Sequence, residues 1–309
     1  MNKVSIKELP SRLFKLNPMI KKELTMSVRT PKFVGRILAY NTVLTALALL
    51  AYYASFGDID GYYRSIDYQN IILLYMVISF IQLGLILFSV PSFTAGTIAG
   101  EREKQTLDIL LTTRLKPMQI ILGKLFSSIS SVLLLYISSL PILGICFAIG
   151  GIEWKSLFYL TIVIICCSIF LGSIGIYFST KMKKSIPATV VSYAMSAMLV
   201  AGTFVLVLIY SILKYVAYGN KEPGASLYLL LINPLMTVIA MMTNQFGSNE
   251  YKTILLSGGI HNEFIVDHWF AISLLVQLVI AALLLVRAAH NLNPLHAKVK
   301  NKMKKKKKK

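Results

Sequence analysis

The chain has 309 residues, 56% of them hydrophobic and 15% charged, with 32 Lys and Arg against 13 Asp and Glu for a net charge of +19. Its mean hydropathy of +0.67 is concentrated in runs that reach the roughly 20 residues needed to cross a bilayer core, which excludes a soluble enzyme of one or two domains. The basic residues flank those runs, so they read as cytoplasmic membrane flanks and not as a nucleic-acid surface.

Residues 1–36 carry charge throughout and hold no long apolar core before a small-residue cleavage site, so the first span is expected to act as its own insertion signal. Within this stretch Asn17 suits a helix cap, Pro18 the first helical position, and Pro31 a stop. Leu16, Ile20, Leu24 and Val28 recur every four residues while Lys21, Lys22 and Arg29 point elsewhere. That spacing predicts an amphipathic helix on the inner membrane surface. Apolar segments free of charge then run over 37–56, 71–99, 125–149, 157–178, 186–213, 226–242 and 269–286. The second of them would be about 43 Å long as a helix, more than the hydrocarbon core needs. Its inner end is expected to project into the cytoplasm, with a kink at Pro91.

After the second segment comes the cluster Glu101-Arg102-Glu103, then Gln105-Thr106-Leu107-Asp108, Leu110-Leu111, Arg114, Lys116-Pro117 and Gly123-Lys124. Thr106 can cap a short helix, and Asp108 suits its positive end. Leu107, Leu110 and Leu111 would form one apolar stripe, able to dock in a groove of a soluble partner and to be pushed when that partner moves. This pattern resembles the first cytoplasmic loop of the ATP-binding-cassette (ABC) type-2 exporter permeases. That family's loop has an acidic-basic-acidic cluster, a Gly-Thr-Leu step, a Leu-Leu run, a Thr-Pro turn and a Gly-Lys pair leading into the next span. Gln105 stands where the family usually has glycine and Arg114 where proline is common. The segment Asn17, Pro18, Ile20, Glu23, Leu24 and Val28 is similar to the same family's connecting helix.

In the later segments, small residues recur at four-residue spacing, as in Ser127 and Ser131, Ser168 and Gly172, and Ser192 and Ser196. They allow close helix packing. Cys146, Cys166 and Cys167 all lie in apolar runs and read as packing residues. Basic residues number nine in 1–36, five in 100–124, three in 179–185 and ten from Arg287 onward, against five in all the other loops. Placing the four rich regions together in the cytoplasm requires six crossings. The segment that does not cross is 226–242, which is short and carries Asn233-Pro234, and it is expected to form an outer re-entrant hairpin. Trp154 and Trp269 then fall at the outer interface, with Tyr52, Tyr53, Tyr62, Tyr63 and Tyr68 nearby. The expected fold is therefore an all-α membrane protein with six transmembrane helices, an amino-terminal amphipathic helix, a cytoplasmic coupling helix and the hairpin. Its parts are a connecting segment 1–36, a transmembrane domain 37–286 and a basic tail 287–309.

The resemblance implies a permease subunit of an ATP-driven exporter in the cell membrane, with both termini cytoplasmic. It also implies two copies of an ABC ATPase subunit and a second permease copy or relative. No Gly-x-x-x-x-Gly-Lys-Ser/Thr loop occurs in the sequence, so no cofactor is assigned to this chain, and ATP and Mg would belong to the partner. The lysine-rich tail cannot bury a core and is expected to be disordered and to favour anionic inner-leaflet lipid. Two other functions stay open. A secondary transporter would normally need an ionisable group within the bilayer, yet all 13 acids lie outside the expected spans. Asn41, Gln82 and Gln277 do lie inside them, as candidate pathway residues or as bonds between helices. An intramembrane enzyme would need a His-Glu-x-x-His or Gly-x-Ser-x-Gly motif, and neither occurs.

Overall fold

The computed structural model describes residues 31–56, 68–107, 116–149, 152–219, 223–247, 250–260 and 262–292. Helix α1 spans Pro31–Phe56, α2 Tyr68–Thr94, α3 Ala99–Glu103, α4 Pro117–Ile149 and α5 Trp154–Lys181. Helix α6, Ser185–Ala197, passes through a π-helical turn, Met198–Gly202, into α7, Thr203–Tyr218. A 3-10 helix, Gly224–Ile232, leads to α8, Pro234–Gln245, then α9, Glu250–Ser257, α10, Glu263–Asp267, and α11, Trp269–Leu292. Among the described residues six helical stretches are long and apolar enough to cross a membrane, with α2–α3 and α6–α7 each counting as one.

Helix α5 is the hub, packing against α2, α4, α6, α8 and α11. Its Leu160, Val163, Ile164, Cys167 and Leu171 are fully buried. Small residues let the neighbours come close: Ser168, Gly172, Gly175 and Ser179 are all buried along α5. At i, i+4, i+7 and i+11 they share one helical face. A Cβ built on Gly175 would overlap the Thr94 hydroxyl and lie 2.9 Å from Thr94 Cβ. Only glycine lets the end of α2 approach there.

Helix α4 begins at Pro117, eight residues before the start of the apolar run at 125. Charge set the expected boundary, but Lys124 is only 8% exposed and sits inside the helix with a carboxylate partner. The 3-10 helix and α8 meet at Asn233 with a 96° bend. Their lengths are about 18 Å each at 2.0 and 1.5 Å per residue, so a right-angled pair falls short of the roughly 30 Å hydrocarbon core. Asn233 is fully buried and serves both arms. Its Oδ1 accepts from the Leu235 N–H at 2.8 Å and caps α8, while Nδ2 donates to the Val200 carbonyl at 2.8 Å and to Thr203 Oγ1 at 2.7 Å. Val200 lies in the π-helical turn, where the widened backbone frees a carbonyl for an outside donor.

Of the two tryptophans, Trp154 is 79% exposed and stacks on Phe147. Trp269 is fully buried instead of facing an interface, in a cluster with Leu227, Leu230, Tyr251, Leu255 and Val266. Helices α9 and α10 supply that cover. At their surface Lys252 Nζ donates to Asp267 at 2.8 Å. This bond holds the Asp267 carboxyl below the usual range and the Lys252 ammonium above it.

Candidate coupling site

Helix α2 ends at Thr94, and the chain turns through Ala95–Ile98 before α3. A five-residue helix leaves nearly all its first N–H groups without internal partners, and Ile98 gives no side-chain cap. Ser179 of α5 replaces one: its Oγ accepts from the Ile98 and Ala99 N–H groups, both at 2.9 Å.

The charged cluster that follows is spent within the chain. Arg102 donates to the Met182 carbonyl at 2.6 Å and the Thr180 carbonyl at 3.0 Å, at the end of α5. Those carbonyls are among the helix's unsatisfied acceptors, and a cation belongs at that end of the dipole. Glu103 accepts from the Ser185 N–H at 3.0 Å and the Ser185 hydroxyl at 2.6 Å, which supplies the anion at the start of α6. Glu101 faces the other way, 3.2 Å from the Lys124 ammonium of α4, and its second oxygen accepts from the Thr106 hydroxyl. Three consecutive side chains thus tie one short helix to α4, α5 and α6.

The end of α3 explains Gln105. Its φ of +59° is the single positive φ at a non-glycine among the described residues. The Thr106 N–H bonds the Glu101 carbonyl at 2.9 Å and the Gln105 N–H bonds the Arg102 carbonyl at 3.1 Å, which together are a Schellman termination with Gln105 in the left-handed position. A side chain there costs roughly 1–2 kcal/mol relative to glycine. Gln105→Gly is therefore expected to stabilise by about 0.5–1 kcal/mol, and Gln105→Val to destabilise by at least as much. Thermal melts of the detergent-purified variants check this ordering.

Leu107 follows, 7% exposed, and packs with Ile98, Ile120, Ile121, Ile176 and Leu285. It therefore belongs to the core at this end of the bundle. Asp108, Leu110 and Leu111, and the connecting-helix residues Asn17, Pro18, Ile20, Glu23, Leu24 and Val28, lie outside the described residues. Sequence reading assigned no role to Ser179, Ser185 or Gly175, and Lys124 entered only as part of a Gly-Lys motif and as a basic residue bounding the run at 125.

The polar residues inside the spans make bonds between helices. Asn41 Nδ2 of α1 donates to Ser138 Oγ of α4 at 2.9 Å, and Gln82 Nε2 of α2 donates to Ser139 Oγ of α4 at 2.7 Å. Gln277 Nε2 of α11 donates to Thr237 Oγ1 of α8 at 2.8 Å, tethering the bent pair to the bundle. Such bonds average about 0.6 kcal/mol in membranes. They set the register more than they set the stability.

The model of the ABC-2 family transporter proteins matches residues 18–289, which contain every described helix except the end of α11. No curated protein sequence matches the chain. With the matched stretch covering most of its length, the chain belongs to the ABC-2 transporter family, as an integral membrane protein and the permease component of an ABC transporter.

Proposed function

We propose that this permease works as an exporter subunit driven by an ABC ATPase, and that residues 99–116 receive the ATPase's motion. The observation that carries the reading is the three-way tie of α3. A push on the loop that α3 begins cannot move α3 alone, because Glu101, Arg102 and Glu103 hold it to α4, to the end of α5 and to the start of α6. Leu110 and Leu111 would supply the apolar contact to the partner. Two ATPase subunits would bind ATP and Mg, and a second permease copy would complete the pathway. The α6–α7 stretch, the least buried of the six among the described residues, offers that copy the barest face.

In this reading the cytoplasmic side carries residues 1–36, the α2–α4 and α5–α6 connections and the tail 287–309. The bent pair and α9–α10 lie on the outer side, and 37–286 form the transmembrane domain. The orientation follows from 27 basic residues on the inner side against five on the outer.

Leu110→Asp tests the coupling role, because a central apolar contact is worth about 2 kcal/mol or more when lost. The expected result is normal membrane insertion, with a complex yield or a transport-to-hydrolysis ratio lowered at least several-fold. Complex yield, ATP turnover and efflux are measured in the same vesicles. Wild-type values for all three would remove this loop as the coupling element.

A further inference from the structure

We propose that the groove between α1 and α2 is a binding site for one anionic phospholipid, whose phosphate rests on Arg36 and whose acyl chain lies along Val43, Leu85 and Leu135. The groove encloses about 310 Å³ and is lined by these residues together with Tyr40, Phe88 and Phe93 among others.

Arg36 lies in the first turn of the apolar stretch Phe33–Ala54, which puts it at headgroup depth. Its guanidinium carbon sits 4.8 Å from the centre of the Phe93 ring. Stacking on a ring face holds the guanidinium but leaves its in-plane N–H donors to point past the ring edge. Arg36 has no ion-pair partner among the described residues, and no acidic residue lines the groove. A planar cation with unspent donors suits the paired oxygens of a phosphate.

The groove continues in the order of polarity that a phospholipid has. Tyr40 is one turn beyond Arg36 and Val43 nearly another, so all three share a face of α1 at depths of about 0, 6 and 10 Å. Tyr40 is 6% exposed, and its hydroxyl lies toward Ser139 and Gln82 of the bundle core. Beyond it the walls are hydrocarbon: Val43, Leu85 and Leu135. The missing carboxylate also selects among headgroups. A zwitterionic lipid would bring an ammonium that finds no acid, whereas an anionic lipid brings only the charge that Arg36 neutralises.

This site is separate from the attraction of the lysine tail to a membrane surface, and its test needs no ATPase. The full chain is purified in neutral detergent and offered equimolar phosphatidylglycerol and phosphatidylcholine, with retention read by native mass spectrometry and melting temperature in parallel. The wild type should keep one phosphatidylglycerol in about tenfold preference, equivalent to roughly 1.4 kcal/mol. Arg36→Gln should abolish the preference. Val43→Trp, which fills the apolar part and keeps the cation, should lose the retained lipid and its stabilisation. Equal retention by wild type and Val43→Trp overturns the site, as does stabilisation by inorganic phosphate alone that Val43→Trp leaves intact. Loss of lipid accompanied by a change of oligomeric state in Val43→Trp would instead make the groove an interface between copies, and would equally overturn it.

Discussion

Gly175→Val is expected to lower stability by about 3 kcal/mol, with Gly175→Ala at the lower end of the roughly 1–3 kcal/mol that overpacking costs. The new Cβ would overlap Thr94 Oγ1, and the next nearest atoms are Thr94 Cβ at 2.9 Å and the Ala95 nitrogen at 3.3 Å. The Thr94 side chain is not free to swing, since its hydroxyl donates to the Val90 carbonyl at 2.9 Å. Backbone must move, and the backbone that moves leads directly into α3. Gly172 gives the contrast: its nearest neighbour is Leu125 Cδ1 at 3.0 Å, the flexible end of a side chain. Gly172→Ala should therefore cost less than Gly175→Ala. Thr94→Ala removes the overlapping oxygen and leaves the Cβ contact, so it should restore part of the loss. Thermal melts in detergent and the yield of monodisperse protein measure the series. A wild-type melting temperature for Gly175→Val would show that α2 and α5 are not in contact there.

The six long helices were legible because apolar runs and basic flanks report the same thing by independent physics. What the sequence could not show is how charges are spent. Lys124 looked like the edge of a span, since an isolated ammonium does not belong in a buried helix; with Glu101 at 3.2 Å it does. Glu101, Arg102 and Glu103 stand in the sequence as one charged cluster, and in the fold both carboxylates have partners in this chain while Arg102 ends α5. The Arg102 and Glu103 bonds join residues about 80 positions apart and the Glu101–Lys124 pair joins residues 23 apart, and no local pattern predicts such pairings.

Other features left a signal that was open to reading. Ser168, Gly172, Gly175 and Ser179 form a full helical stripe, but strict four-residue spacing runs only from Ser168 to Gly172. Gln105 was visible as a departure from glycine, and the structure gives the departure its cost through a φ of +59°. Asn233-Pro234 announced a break, while the bond from Asn233 to the π-helical turn needed the tertiary structure. Trp269 followed the aromatic-belt rule in sequence and broke it in the fold, because the short helices α9 and α10 cover it.

Glu101→Ala should destabilise by about 3 kcal/mol, because removing one member of a largely buried ion pair strands the other, typically at about 3–5 kcal/mol. The lower end applies since Glu101 is 31% exposed, against 9% for the side chain of Lys124. The change also removes the acceptor for the Thr106 hydroxyl at the end of α3. If Lys124 is the functional partner of Glu101, the double variant Glu101→Gln with Lys124→Met should recover most of the stability, since an apolar or neutral replacement of both partners is often near neutral. It should also recover complex formation and coupled ATP turnover. If Glu101 acts instead by pairing with a basic group of the ATPase, the same double variant regains its melting temperature and stays defective in complex yield. Melting temperature and complex yield therefore separate a carboxylate that holds α3 in place from one that touches the partner. The 3.2 Å geometry favours the first, because each oxygen of the Glu101 carboxylate already holds a partner in this chain, one Lys124 and the other Thr106.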